Sequence, residues 1–300
     1  MRPSLTWPAL ESLFAACAVG FLLVAGPAAA GPFVFSTGNP DGRIATATRP
    51  DSAGKFEIET GDDFLLDQAT GITSASFTGI VAASSPIASI GEVRVEIYRV
   101  FPQDSDTSRT SGPTFSTSKV PARLNSPSDV EFDDRDTASG NLTFTTTDLG
   151  SFGVLNSVLP GGIHALPNIF TGGDGAVTGE EVQFNVSFTS AFVLPAGHYF
   201  FVPQVEIAEP DGEFLWLSAP KPIVPPGTPF LPDLQTWTRD QFLDPDWLRV
   251  GTDIVGGNPA PTFNAVFSLA GEAVQIPEPG SLLLIAGGLA VLWWAWKRRH

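Results

Sequence analysis

Hydrophobic residues at every second position are the feature of this sequence that most restricts its fold. The alternation is plain over 93–97, 182–188 and 263–269, begins again at 142–144, and runs from 199 to 207. Successive side chains of a β-strand point to opposite faces, so this spacing predicts strands with one buried and one solvated face. A surface helix would need apolar residues three or four positions apart, and that spacing is almost absent.

The predicted fold is all-β, an antiparallel β-sandwich of jelly-roll-like form over 31–270. Gly, Pro, Asn and Asp separate the alternating segments and favour turns between antiparallel strands. The crossover helices of a parallel sheet are missing, and no repeat of about 20–50 residues indicates a solenoid. Further strands are expected near 33–35, 56–59, 74–81 and 214–218. The stretches 102–128 and 218–234 are rich in Pro, Ser and Thr and are expected to be long loops.

The C-terminus has three consecutive parts. They are Pro277, Glu278 and Pro279, then an apolar run over 280–296, then the basic residues Lys297, Arg298 and Arg299. A helix cannot continue through the two prolines, because each lacks an amide donor. About 17 residues at helical rise span about 25 Å, close to the lower limit for a bilayer. The sequence therefore predicts a transmembrane helix over about 280–296, a cytoplasmic basic end at 297–299, and a tether at 271–276.

This order of parts closely resembles the PEP-CTERM sorting signal of Gram-negative bacteria. The resemblance covers 277–300 and concerns sorting only. It implies that Pro277, Glu278 and Pro279 are recognised by the exosortase, a membrane protease-transpeptidase that acts on such tails. Proteins with this tail are common in species that make extracellular polysaccharide and biofilms, which makes an extracellular polysaccharide a candidate partner. The body resembles, in its overall style, uncharacterised exported proteins with the same kind of tail, a likeness that brings no activity.

Residues 1–30 have the three parts of a secretory signal peptide. Arg2 gives a positive start, an apolar core follows, and Ala28 and Ala30 satisfy the small-x-small rule for cleavage. We expect export by the Sec machinery and cleavage after Ala30, with Gly31 as the mature N-terminus.

Cys17 is the only cysteine of the chain, and it lies inside the predicted signal peptide. Acylation of Cys17 as a lipoprotein is the alternative, but Phe14 and Glu11 fit such a signal poorly. The mature body then has no cysteine, so it has neither disulfides nor thiolate metal ligands. Together the two ends predict an exported protein with a periplasmic body anchored in the inner membrane. After processing it would reach the cell surface or the extracellular space.

The chain is strongly acidic. It has 16 Lys and Arg residues against 32 Asp and Glu residues, a formal net charge of −16 at pH 7. Such a surface repels the phosphates of nucleic acid, which excludes nucleic acid as a partner. The same surface can attract cations.

One acidic cluster is the candidate calcium site, and Ca²⁺ is the one cofactor that the sequence suggests. The cluster consists of Asp129, Glu131, Asp133, Asp134 and Asp136. Calcium takes about six to eight oxygen ligands, and an Asp-rich loop can supply them. The spacing does not match the helix-loop-helix calcium motif, and a solvated acidic loop is the simpler interpretation.

Trp237 and Trp247 are the candidate glycan contacts. Asp240 follows the first and Asp246 precedes the second. An indole beside carboxylates suits the C–H faces and the hydroxyls of a sugar. The alternative is that both indoles fill the core of the sandwich or cover its open edge.

Signatures of catalysis are scarce. Between the two predicted signals the histidines are His164 and His198, and there is no Gly-x-Ser-x-Gly elbow, His-Glu-x-x-His helix or glycine-rich phosphate loop. The sequence therefore predicts a non-enzymatic exported protein of the cell envelope or extracellular matrix. A carbohydrate- or calcium-binding module at the cell surface is the alternative. A glycan hydrolase that uses two carboxylates is the third hypothesis.

Overall fold

In the computed structural model, two β-sheets contain most of the regular structure. The described residues are 31–52, 54–82, 86–109, 123–164, 169–274, 287–289, 292–294 and 296–298. The chain divides into two units, Met1–Ala30 and Gly31–His300. The first unit, with the predicted signal peptide, lies outside the described residues.

The strands are numbered in chain order. They are β1 (Pro32–Ser36), β2 (Ile44–Ala47), β3 (Ile58–Leu66), β4 (Thr70–Ala82), β5 (Ile90–Arg99), β6 (Asp133–Asp136), β7 (Leu142–Val154), β8 (Asn156–Val158), β9 (Val177–Leu194), β10 (Gly197–Ile207), β11 (Phe214–Ala219), β12 (Trp237–Asp240), β13 (Leu248–Arg249), β14 (Asn264–Ala265) and β15 (Phe267–Ala273). Short 3₁₀ turns occupy Ile87–Ser89, Thr107–Arg109 and Pro160–Gly162, and a π-helix occupies Val250–Val255.

The larger sheet has nine strands arranged around β4. One edge of β4 pairs with β9 over nearly its whole length, and β9 pairs in turn with β7. The other edge of β4 is divided between β15, which pairs with β1, and β11. From β11 the sheet continues to β2 and then to β8, which runs parallel to β2, and β14 also pairs with β11.

The smaller sheet has six strands in the order β13-β12-β3-β10-β5-β6. Its pairings among the described residues are antiparallel. The prediction of an all-β body built from largely antiparallel sheets is therefore confirmed. The alternating segments 93–97 and 182–188 lie within β5 and β9 respectively.

An aromatic core separates the two sheets. Phe77 and Phe267 contribute from the larger sheet and Phe201 from the smaller one, all of them buried. The ring of Phe201 stacks on that of Phe267 with centroids 5.0 Å apart, and its centroid is 6.2 Å from that of Phe77. Burying such a side chain contributes roughly 1.5–3 kcal/mol. The inward half of each alternating segment thus holds the two sheets together.

A separate apolar cluster lies on the outer face of the smaller sheet. It contains Tyr98, Phe200, Val202, Leu234, Trp237 and Trp247. Phe200 and Val202 of β10 lie one position from the inward-facing Phe201, so the pleat points them away from the central core. This cluster covers part of the outer face, and the outward side chains Arg94 and Glu96 of β5 lie outside it.

The last strand of the body is longer than the sequence suggests. β15 continues to Ala273, and Gly271–Ala273 pair with Ile72–Thr70 of β4. The predicted tether at 271–276 therefore begins with residues that belong to the sheet. At the C-terminus the described residues 287–289, 292–294 and 296–297 are helical. Within the described part of the chain, no helix combines the length and the apolar character needed to cross a membrane. Residues 280–286, 290, 291 and 295 of the predicted span lie outside it.

Candidate functional site

The residues of the predicted calcium site do not converge on one point. The Asp129 carboxylate accepts hydrogen bonds from Arg109 (3.1 Å), from Arg123 and from the backbone N–H of Asp106 (2.8 Å). Asp133 is paired with Arg135. Three cations and an amide thus occupy the oxygens that a calcium ion would need.

The other members of the acidic cluster also have separate surroundings. Asp136 accepts hydrogen bonds from the backbone N–H and the hydroxyl of Ser139, while Glu131 and Asp134 are exposed. Since 133–136 forms strand β6, neighbouring carboxylates point to opposite faces. Among the described residues no group of three or more His, Cys, Asp or Glu side chains is placed to hold a metal ion. In the structure, Asp129, Asp133 and Asp136 are therefore bonded to protein donors and do not surround a common point.

The two candidate glycan contacts are buried. Trp237 and Trp247 each have 1% of their surface exposed. The Trp247 Nε1–H donates to the carbonyl of Ser128 (3.0 Å), and the guanidinium of Arg239 lies 4.4 Å from its ring centroid. Both indoles belong to the outer apolar cluster, so in this structure neither ring face is open to a sugar.

The residues of the predicted signals lie mostly outside the described part of the chain. This holds for Ala28, Ala30, Pro277, Glu278, Pro279 and Arg299. Gly31 is described, and its carbonyl accepts a hydrogen bond from the N–H of Ala273 (3.0 Å). Lys297 lies over the ring of Trp293, with Nζ 5.0 Å from the centroid. Arg298 stacks over Trp294 at 3.7 Å.

A cleft lined largely by charged side chains lies on the outer face of the smaller sheet. Its volume is about 350 Å³. The residues that line it include Glu57, Glu59, Arg94, Glu96, Tyr98 and Arg239. These side chains come from β3, β5 and β12 and from the segment before β3, because the strand register brings their outward positions side by side. We call this site the acidic cleft.

Arg239 and Glu59 form the floor of the acidic cleft. The guanidinium makes a two-pronged contact with the carboxylate, through Nε and through Nη2 at 3.0 Å from Oε1. Arg239 Nη2 also donates to the Tyr98 hydroxyl (3.0 Å), and its Nη1 lies 2.9 Å from Asp244 Oδ1. The side chains of Arg239 and Glu59 are 5% and 6% exposed. A buried ion pair of this kind is tolerated because its hydrogen-bonding groups are satisfied.

Two carboxylates of the acidic cleft have opposite protonation tendencies. Burial acts to raise the pKa of Glu59, but the charge and hydrogen bonds of Arg239 outweigh it and hold that pKa below its usual range. Burial, followed by the negative charge of Glu59, raises the pKa of Glu96 well above its usual range. The Tyr98 hydroxyl lies between the two carboxylates, bonded to Glu59 and 3.2 Å from Glu96 Oε2. Glu96 is therefore the member of the pair that takes up a proton first.

The outer face of the larger sheet carries a second polar surface, on which three cross-strand rows contain only uncharged side chains, with Glu181 beyond them. Its central cross-strand row is Thr145, Asn185, Ser76, Ser268 and Ser36. The flanking rows begin with Thr143, Ser187 and Ser74 and with Thr147, Gln183 and Thr78. Strands are spaced by about 4.8 Å and rows by about 6.8 Å, so the hydroxyls and amides form a regular grid. We call this surface the hydroxyl face.

A trough of about 490 Å³ runs over the hydroxyl face. Ser74, Thr143, Asn185 and Ser187 are among the side chains that line it, and no charged residue of the described chain does so. The trough has an uncharged lining although the whole chain has a net charge of −16. It suits a neutral ligand with many hydroxyl groups.

The sequence predictions missed both surfaces. The acidic cleft joins Glu59, Glu96 and Arg239, which are far apart in the chain, and no spacing motif connects such residues. A signal was nevertheless present, because Arg94 and Glu96 occupy the outward positions of the alternating segment 93–97. For the hydroxyl face the corresponding signal was the polar half of 182–188.

Comparison with known proteins supports the interpretation of the tail. The model of the PEP-CTERM protein-sorting motif matches residues 275–299. This confirms the sorting signal inferred from the Pro-Glu-Pro, the apolar run and the basic end. The chain therefore carries the sorting motif of an exosortase substrate. No curated protein and no solved structure that was compared matches the chain.

Proposed function

We propose that this protein is a non-enzymatic component of the cell envelope or extracellular matrix, exported by the Sec machinery and then sorted and processed by the exosortase. The sorting motif at 275–299 is the observation that supports export and sorting. In this scheme the C-terminal helix anchors the chain in the inner membrane with the body in the periplasm. Processing then releases the body to the cell surface or the extracellular space.

Within the acidic cleft, the contacts of Glu59 favour a supporting role over a catalytic one. Both Glu59 oxygens are engaged by Arg239, and one of them also by Tyr98. A nucleophile or general base needs a free lone pair directed at the substrate, and Glu59 has none to offer. The role of Glu59 is therefore to hold the floor of the cleft.

Changing the Pro-Glu-Pro motif should abolish processing in the host. We expect wild-type protein to lose Lys297–His300, and the triple variant Pro277→Ala, Glu278→Ala, Pro279→Ala to retain them in the membrane fraction. Intact-mass spectrometry of both proteins locates the C-terminus. Glu272→Ala, a change at an exposed residue just before the motif, is the matched control and should be processed normally. A wild-type protein that keeps its basic end in the host would contradict processing.

Binding of a neutral extracellular polysaccharide is a second candidate function, favoured by the hydroxyl face. Ordered hydroxyls and amides can exchange hydrogen bonds with sugar hydroxyls along several strands at once. Burying a charged side chain under a neutral polymer would be costly, because the charge would lose its water and gain no partner. The residues that line the trough are uncharged, so this cost does not arise. The cross-strand rows of the hydroxyl face repeat at a regular spacing, which suits a polymer built from repeated sugar units.

A charge placed in the trough should prevent this binding. Thr145→Glu puts a carboxylate in the central row, and we expect it to reduce pull-down by an insoluble neutral polysaccharide at least about tenfold, because the buried charge loses its water. Thr146→Glu is the matched control: the next residue of β7 is also exposed but points to the opposite face. Equal loss in both variants, or none in either, would refute a role of the hydroxyl face.

A further inference from the structure

The acidic cleft has more carboxylates than its cations neutralise. Arg239 is taken by Glu59 and Asp244. The guanidinium of Arg94 is shared by Glu57, Glu92 and Glu96 at N–O distances of 3.7, 3.4 and 3.7 Å. Burial and the charge of Glu59 raise the pKa of Glu57, as expected where a carboxylate lacks a counterion of its own. Even with Glu96 protonated, Glu57, Glu59, Glu131 and Asp244 face only Arg94 and Arg239 in this cleft, so it can accommodate one more positive charge.

A buried acceptor beneath the acidic cleft lacks a donor. Gln204 has no exposed surface, and it points to the same face as Arg94, its cross-strand partner. Its Nε2 donates to Glu57 Oε1 at 3.1 Å, which places the amide next to the cleft-lining carboxylate. Within the described residues its Oε1 accepts no hydrogen bond, and Arg94 Nε likewise has no partner. Any N–H or O–H would satisfy this carbonyl, but a positively charged donor beside Glu57 would satisfy the carbonyl and the carboxylate together.

The arrangement of the carboxylates, the polar lining and the volume of the cleft limit which cation can bind there. Metal ions are disfavoured, because the described carboxylates include no group of three placed around a common point. A primary ammonium offers three N–H donors and one charge, which matches an environment of carboxylates and an amide oxygen. Apart from Val130, the side chains that line the cleft carry polar groups. At about 350 Å³ it holds a small, hydroxylated ligand and not an apolar one.

We propose that the acidic cleft binds a protonated primary amine on a hydroxylated body, the chemistry of an amino sugar with a free amino group. The ammonium lies against Glu57, next to Gln204, and the hydroxyls of the body face the exposed rim residues Gln241 and Glu131. The site is on the smaller sheet and is independent of both the sorting motif and the hydroxyl face. Two sources share this chemistry, a free amino sugar and a partly deacetylated polysaccharide.

Calorimetric titration of the purified full-length protein tests the proposal with glucosamine and N-acetylglucosamine as probes. The two sugars differ in the charge of one nitrogen, so we expect glucosamine to bind at least about tenfold more tightly. A glucosamine oligosaccharide is the third probe. Tighter binding of the oligosaccharide than of the monomer assigns the polymer as the source, and equal binding assigns the free sugar. Equal affinity for glucosamine and N-acetylglucosamine, or no binding of either, overturns the proposal.

Variants locate the site. Glu57→Gln keeps the shape and removes the charge, and should weaken glucosamine binding at least about tenfold. Glu272→Gln removes an exposed charge from the other sheet and should leave binding unchanged. Should Glu57→Gln fail to fold, the exposed rim change Glu131→Gln decides instead, with an expected loss of about two- to fivefold. Wild-type affinity in a folded Glu57→Gln, or in Glu131→Gln where that variant decides, overturns the assignment to this cleft.

Discussion

Replacing Arg239 with methionine will lower the free energy of unfolding by about 3–5 kcal/mol. The change removes one partner of a buried ion pair and leaves the Glu59 carboxylate without its main counterion, although the apolar stem of the side chain is kept. It also deprives the Tyr98 hydroxyl of a donor and Asp244 of its ion-pair partner. Urea unfolding followed by tryptophan fluorescence measures the loss.

The pH dependence of that loss identifies its origin. In the wild type the pKa of Glu59 is held low, so the stability that this group contributes is present above its unfolded pKa and disappears as the pH falls. Without Arg239, burial raises the pKa of Glu59, and stability falls instead as the pH rises. The difference between the two proteins should therefore be largest at neutral pH and shrink towards acidic pH.

Two further variants distinguish the loss of the buried ion pair from the loss of any arginine side chain. Adding Glu59→Leu to Arg239→Met removes the stranded charge and should recover most of the lost stability, because an apolar pair of similar volume replaces a buried ion pair at little cost. Arg99→Met, at a partly exposed arginine paired with Asp104, should cost less than about 1 kcal/mol. A loss of that small size for Arg239→Met would show that the pair contributes no more than a surface salt bridge.

Sequence alternation predicted the fold well wherever one face of a strand is apolar. The segments 93–97 and 182–188 became β5 and β9, because the central core between the sheets accepts only their inward half. It failed for β3, which was expected only near 56–59. That strand buries Thr60, Asp62 and Asp63, polar residues that no hydropathy pattern marks as internal. Partners from distant segments satisfy them, as the Ala265 N–H does for Asp62 at 2.8 Å.

The candidate sites were predicted least well, because contacts between residues far apart in the chain decide the surroundings of each candidate side chain. Trp237 and Trp247 have polar neighbours along the chain, yet the outer apolar cluster buries both, because the outer face of the smaller sheet forms a core of its own. Asp129 was expected to bind a cation and does so, but the cations are the guanidiniums of Arg109 and Arg123. The tail could be predicted because its parts are contiguous, whereas the acidic cleft depends on pairing between residues far apart in the chain.

Phe184→Ala should destabilise the protein by about 3–5 kcal/mol, the usual cost of removing a large side chain from a well-packed core. Phe184 has no exposed surface, and its ring stacks on that of its cross-strand partner Phe77 with centroids 4.8 Å apart and an angle of 4°. Phe214 packs edge-on against the same ring at 5.2 Å. The ring thus joins β9, β4 and β11, and its loss leaves a cavity that these paired strands cannot close.

A matched change on the same strand isolates the cavity. Val193 also belongs to β9, but its side chain points outward and is 55% exposed, so Val193→Ala should change stability by no more than about 0.5 kcal/mol. Phe184→Leu keeps more of the volume and should cost less than Phe184→Ala. Thermal and urea unfolding of the three variants give the comparison. If Phe184→Ala cost no more stability than Val193→Ala, the larger sheet would not depend on the aromatic contact between β4 and β9.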